Sequence, residues 1–240
     1  LESKKQRTVN RVFVAEGEKI VAELMSSSVF KVHGLFAVKE WISANEKQLH
    51  KTGRKAVEFS EKELEQASSL TTPNKVLGVF EIPDWKTDDT EIKNSFSIVL
   101  DRIRDPGNMG TIIRTADWFG IKNIFCTEDC VDCFSPKVVQ ATMGSMTRVK
   151  IHYCQLEKLF ELYRNVKVYG ASAGESDVFN TKFSKAGFLL IGNESEGISD
   201  QLEKYVTDKI SVAKFGGAES LNAAIATSII CAVYRNQYFK

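Results

Sequence analysis

Residues 101–120 read Asp-Arg-Ile-Arg-Asp-Pro-Gly-Asn-Met-Gly-Thr-Ile-Ile-Arg-Thr-Ala-Asp-Trp-Phe-Gly, and two of them, Asn108 and Arg114, are of types that can act on a ligand. An apolar run leads into a Pro106-Gly107 turn, after which Asn108 sits where a helix N-cap belongs. Met109, Ile112, Ile113, Ala116 and Phe119 recur at helical spacing and predict the buried stripe, which leaves Arg114 roughly opposite it. A guanidinium near a helix N-terminus, at the carboxyl end of a strand, suits phosphate. By spacing alone, a plain cap and a surface arginine account for the two residues more readily. A second stretch, residues 189–199, breaks an apolar strand at Gly192, presents Asn193 and Glu194, and turns again at Gly197. Glycines at both ends let main chain approach a ligand closely. In the third, Ile210-Ser211-Val212 runs through a Gly216-Gly217 loop into Glu219-Ser220-Leu221-Asn222 and a helix with Leu221, Ile225, Ile229, Ala232 and Val233 inside.

Two other groupings invite metal chemistry. Cys126, Cys130 and Cys133 have the spacing of a radical iron–sulfur site, but Asp132 stands before the third cysteine where an aromatic residue is usual, so a structural role is expected. His33, His50 and His152 have no Cys or His at ligand spacing. No metal is expected, and His152, on an apolar strand, reads as a satisfied core residue.

The elements that must position these groups fall into two sets. In residues 1–83, Ile20, Val21 and Leu24 mark a helix, residues 34–38, 56–59 and 76–80 read as strands, and Ser60 with Glu63 forms a capping box. Residues 84–95 read as a linker, since Asp84 to Thr90 carries no apolar period. From residue 96 to 240, short apolar runs at 97–100, 123–126, 166–169, 188–191 and 209–212 alternate with helices at 110–119, 136–143, 156–163 and 221–238. Strands apolar on both faces predict a parallel sheet covered by helices, hence an α/β protein of two domains.

Composition closes off several function classes. With 43% hydrophobic and 26% charged residues the chain is neither disordered nor a disulfide scaffold. Its most apolar stretch, residues 223–234, is shorter than the ~18 residues a membrane span requires. The basic start leads into Thr8-Val9-Asn10 rather than an apolar signal core, and five cysteines, an odd number, fit a reduced cytoplasmic protein. The net charge of +1 hides a bias: residues 1–55 hold 11 Lys and Arg against 6 Asp and Glu, a local +5 that suits an acidic partner.

Taken in order, Asn108-x-Gly110-x-x-x-Arg114-Thr115-Ala116, then Gly192-Asn193-Glu194-x-x-Gly197, then Glu219-Ser220-Leu221-Asn222, resemble the three motifs of the SpoU (TrmH-type) family of RNA 2′-O-ribose methyltransferases, in the knotted SPOUT class. Phe13-Val14-Ala15-Glu16-Gly17-Glu18-Lys19 and Thr72-Pro73-Asn74-Lys75-Val76-Leu77-Gly78 look like the small α/β, ribosomal-protein-like RNA-recognition domain that precedes it. The resemblance implies S-adenosylmethionine as methyl donor, S-adenosylhomocysteine as product, a trefoil knot in the C-terminal part, an RNA substrate, ribosomal or transfer, and a homodimer. By residue matching it implies Asn108, Arg114 and Glu194 as catalytic residues and Gly192, Val212, Leu221, Ser220 and Asn222 around the cofactor. The basic Lys4, Lys5, Arg7 and Arg11 are expected to meet RNA. Gln140 and the pair Lys214-Phe215 depart from the family pattern. The alternative is an RNA-binding or assembly protein that keeps the fold without catalysis.

Overall fold

The structure is a computed structural model that describes residues 1–70, 72 and 74–238. Pro73, within the N-terminal resemblance, lies outside the described residues. In chain order the elements begin α1 (Lys4–Asn10), β1 (Val12–Glu16), α2 (Glu18–Ser26), β2 (Val32–Ala37), α3 (Lys39–Ala44), α4 (Glu46–Lys51), β3 (Val57–Glu58), α5 (Glu61–Ala67) and β4 (Val76–Glu81). They continue α6 (Asp89–Asn94), β5 (Phe96–Leu100), α7 (Pro106–Trp118), β6 (Asn123–Cys126), α8 (Pro136–Thr142), β7 (Lys150–Tyr153), α9 (Leu156–Leu162), β8 (Val168–Asp177), β9 (Gly187–Ile191), α10 (Asp200–Glu203), β10 (Asp208–Ser211) and α11 (Ala223–Tyr238). The chain divides into two compact units: Leu1–Asp84 with Asp132–Thr147, and Trp85–Val131 with Arg148–Lys240.

In the first unit a sheet of order β1-β4-β2-β3 is antiparallel except for its last pair. Ile20, Val21 and Leu24 of α2 are buried as their spacing predicts, and Ser60 closes the capping box with Glu63. Residues 132–147, contiguous in sequence with the second domain, pack here. Phe134 lies 4.9 Å from the Phe13 ring, and Arg7 donates through Nη2 to Asp132 Oδ2 at 2.7 Å and through Nη1 to the carbonyls of Leu1 and Glu2. Arg7, expected on the RNA surface, is therefore buried and engaged in a structural ion pair. A guanidinium so enclosed is held by its partners and has no face left for phosphate.

The second unit is built on a six-stranded parallel sheet of order β10-β8-β9-β5-β6-β7, whose β5 and β9 are buried throughout. Residues 89–94, expected as linker, form α6 instead. Asp88 caps it by accepting from the amides of Thr90 and Glu91, and Ile92, its one apolar residue, is fully buried. Glu91 accepts from Asn123 and pairs with Lys150 at 3.0 Å; burial raises its pKa, and these bonds outweigh burial and leave it lowered. His152 is half-buried, stacks on Phe125 and meets Asn123 Oδ1 at 3.2 Å, with burial lowering its pKa to about 4. Among the described residues no helix is long and apolar enough to cross a membrane.

In α11 the sequence-predicted inner stripe is turned outward. The buried positions are Ala223, Ala224, Thr227, Ile230, Cys231 and Tyr234, whereas Leu221, Ile225 and Ala232 are exposed and Ile229 and Val233 half-buried. The helix is apolar nearly all round, so periodicity alone does not choose a face. The choice is made by packing: Ser228 and Thr115 hydroxyls meet at 2.8 Å against α7, and Tyr234 stacks on Phe96 at 3.9 Å.

Candidate active site

All strands of the second sheet run the same way, so the loops leaving β5, β9 and β10 gather at one edge, where open α/β sheets hold ligands. Each chemical stretch occupies one of those loops. After β5, helix α7 is capped by Asp105, whose Oδ1 accepts the Asn108 amide at 2.7 Å, with Pro106 at the first helical position. Asn108 is thus inside the first turn and not the cap itself; the cap falls to Asp105 because Pro106 is suited to start the helix. Its side chain is thereby free to reach outward. Met109, Ile112, Ile113 and Ala116 are buried and Phe119 half-buried, while Arg114 is exposed and has no hydrogen-bond partner among the described residues.

The loop after β9 is a tight turn. Asn193 Oδ1 accepts from the amides of Ser195 and Glu196, its main chain bonds that of Gly197 in both directions, and Gly197 has φ +68°. A Cβ on Gly192 would fall well inside 3.0 Å of main-chain atoms of Gly197 and Ile198. Close approach at Gly192 is thus first an approach of the protein to itself. The turn aims Glu194 at α7, where its Oε1 accepts from Asn108 Nδ2.

The third loop ends at Asn222, whose Oδ1 accepts the amides of Ala224 and Ile225 at the start of α11. Its Nδ2 donates to Asn108 Oδ1 at 2.8 Å. Asn222, matched to the cofactor, is thus bonded directly to Asn108. The result is one hydrogen-bonded line, Glu194–Asn108–Asn222, with a member from each stretch. It fixes both ends of the Asn108 amide, since the carboxylate can only accept and the Asn222 amide group can only donate.

Beside this line lies a pocket of about 910 Å³ whose lining includes Gly192, Glu194, Val212, Ser220 and Leu221. Four of the five residues matched to the cofactor thus border one cavity; Asn222, Asn108 and Arg114 do not. Sequence reasoning missed several contributors, first among them residues 171–175 of β8, and also Glu196. The small-residue run Ala171-Ser172-Ala173-Gly174 was the available signal for the first. The donor set suits S-adenosylmethionine: much of the wall is loop main chain and apolar side chain for a nucleoside, and the Glu194 carboxylate offers negative charge to a sulfonium or an ammonium. Among the described residues no group of three His, Cys, Asp or Glu is placed to hold a metal. The five cysteines are thiols; a hydrogen bond from Cys126 draws buried Cys130 down to about 7.

The SpoU rRNA Methylase family model matches residues 95–232. The chain belongs to this family. In the SpoU chain a second family model, the MRM3-like substrate binding domain, matches residues 1–78. It is 29% identical over 237 residues to the 23S rRNA (guanosine(2553)-2′-O)-methyltransferase RlmP of Bacillus subtilis, covering 96% of this chain and 91% of that one. Against the 23S rRNA (uridine(2479)-2′-O)-methyltransferase of Streptomyces viridochromogenes it is 27% identical, with 89% and 81% covered. Among solved structures, the AdoMet-bound rRNA methyltransferase of Sinorhizobium meliloti aligns with a TM-score of 0.85 at 30% identity, over 98% of this chain and 91% of that one. The α/β SPOUT fold implied by the motifs is the fold of this SpoU chain.

Proposed function

We propose that this protein transfers the methyl group of S-adenosylmethionine to a ribose 2′-hydroxyl of ribosomal RNA. The observation that carries the reading is the line Glu194–Asn108–Asn222, which joins all three motifs beside one pocket sized for the donor. When bound, S-adenosylmethionine supplies an activated methyl group on sulfur. The protein's part is to hold the ribose in line, exclude water and stabilise the oxygen as it loses its proton. Asn108 keeps one amide hydrogen and one carbonyl lone pair beyond the line, enough to place a hydroxyl. Arg114, always protonated, orients the neighbouring phosphate and offsets negative charge developing on oxygen. Glu194 holds the Asn108 amide in register. Incubating the protein with transcribed ribosomal RNA and labelled donor, then mapping 2′-O-methyl positions, tests the reading. Label at one ribose supports it; folded protein that binds donor but labels no RNA supports the non-catalytic alternative.

Two further readings belong to this proposal. The first is a homodimer. Ile225 (51% exposed) with half-buried Ile229 and Val233 on α11, and Trp118 (85% exposed) on α7, are apolar side chains left open to water, which does not favour them. Light scattering at micromolar concentration is expected to give twice 26.9 kDa, and a monomer overturns this reading.

The second is RNA contact through the exposed residues Lys4, Lys5 and Arg11. Arg11 ends α1 with φ +52°, which points the chain sharply away from the helix. Neutralising the three together is expected to lower the salt slope of RNA binding by roughly 2, since each phosphate contact contributes about 0.7–0.9. Arg7→Ala, by contrast, is expected to act on folding, because breaking a buried pair costs about 3–5 kcal/mol. An unchanged slope in the triple variant places the RNA elsewhere.

A further inference from the structure

Asp101 and Arg102 follow β5 and precede the motif that opens at Asn108, and they hold the turn that carries Glu194. Asp101 is 1% exposed; its Oδ2 accepts the Ser199 amide at 2.7 Å and its Oδ1 accepts Arg102 Nε at 3.1 Å. The Arg102 guanidinium also donates to the Glu196 carboxylate and to the Gly197 carbonyl at 3.3 Å. The Arg102 carbonyl accepts Asn193 Nδ2 at 3.0 Å, and its amide donates to Thr127 Oγ1 at 3.0 Å. Arg102 adopts φ +57°, a left-handed conformation that a side chain other than glycine's adopts only when its surroundings impose it. That conformation lets one residue use its carbonyl on Asn193 and its side chain on Glu196 and Gly197. The turn is thus anchored at residues 193, 196, 197 and 199, while among the described residues the Glu194 carboxylate bonds Asn108 alone.

We propose that Asp101 and Arg102 are positioning residues for methyl transfer, clamping the turn 193–199 so that Glu194 holds the Asn108 amide and Glu196 closes one side of the donor pocket. The inference rests on the methyltransferase reading for its catalytic consequence but not for the clamp. Without the fork of Arg102, Glu196 loses its tether and the Gly197 carbonyl is left with the Asn193 amide, since the Asn193–Gly197 main-chain bridge survives. Glu194 then samples positions spread over about an ångström, a displacement worth as much as a hundredfold in rate.

Arg102→Gly removes the side chain while suiting the left-handed main chain. Hydrogen exchange of the Ser195, Glu196 and Gly197 amides, measured without RNA or donor, is expected to quicken about tenfold or more. In methyl transfer, kcat is expected to fall roughly ten- to a hundredfold, a larger change than in donor Kd. Arg102→Lys, which keeps charge but loses the fork, is expected to recover only part. Glu196→Ala is expected to quicken the same amides, and Arg102→Gly with Glu196→Ala is expected to quicken them no further than Arg102→Gly alone, because Glu196 acts on the turn through Arg102. Exchange unchanged in both Arg102→Gly and Glu196→Ala overturns the clamp, as does folded Arg102→Gly with full kcat, or exchange in the double variant faster than in Arg102→Gly by the full Glu196→Ala factor. If Arg102→Gly fails to fold, Glu196→Ala decides by exchange alone. If wild type methylates no RNA, the methyltransferase reading fails and the exchange result still decides the clamp.

Discussion

Arg114→Ala is expected to bind S-adenosylmethionine as wild type does and to lose methyl transfer by about a hundredfold or more, the scale on which removing one preorganised charge stabiliser acts. Arg114 stands clear of the α7 core positions Met109, Ile112, Ile113 and Ala116 and is exposed, so its removal falls within the roughly ±0.5 kcal/mol typical of surface substitutions. It does not border the donor pocket and bonds no member of the Glu194–Asn108–Asn222 line. The loss must then fall on the RNA side of the reaction. Calorimetry for donor affinity and single-turnover transfer for chemistry separate the two. Arg114→Lys refines the role: lysine keeps the charge without the planar fork, so full activity in that variant means charge alone suffices. Loss of donor binding in Arg114→Ala overturns the assignment.

Gly192→Val is expected to abolish donor binding and methyl transfer together. The new Cβ has no room, because its nearest neighbours are main-chain atoms of Gly197 and Ile198 that cannot swing aside as a side chain would. The Asn193–Gly197 bridge has to open, which displaces Glu194 from Asn108 and moves a wall of the pocket. An affinity loss of more than about a hundredfold corresponds to roughly 3 kcal/mol. Gly217→Ala is the matched control, since a Cβ there meets nothing within 4 Å. Calorimetry on variants with unchanged far-ultraviolet circular dichroism decides the matter: normal donor affinity in Gly192→Val means the loop relaxes without harm.

Much of this is legible in the sequence. The short apolar runs of the second domain became the strands of a parallel sheet because burial on both faces leaves no room for polar alternation, and Ser60 with Glu63 announced α5 by chemistry local to four residues. The helix over 89–94 was not legible, since six residues with one apolar side chain carry no period; it exists because Glu91 finds Asn123 and Lys150 on strands more than thirty residues away and Ile92 joins a core that includes Phe125 and Phe188. Arg7 was misjudged for the same reason. Its partner Asp132 is 125 positions distant, and a basic residue beside Lys4 and Lys5 looks no different in sequence whether solvent or a carboxylate meets it.

The sequence by itself determined which residue types stand at which strand ends, and so the family and its three motifs. Those are properties of spacing along the chain, set by turn chemistry and by helical and extended periods. Only the tertiary structure decided that Asn222 completes the line to Asn108 and that α11 turns Ile225 outward. Both depend on neighbours distant in sequence, which supply the partner of a polar side chain or choose between two apolar helix faces; the Asp105 cap, by contrast, is a local consequence of the Pro106 that follows it. The order in which strands cross to make 10-8-9-5-6-7, like the knot of the SPOUT class, is likewise fixed by packing across the whole sheet, because every parallel strand carries the same apolar pattern wherever it is inserted.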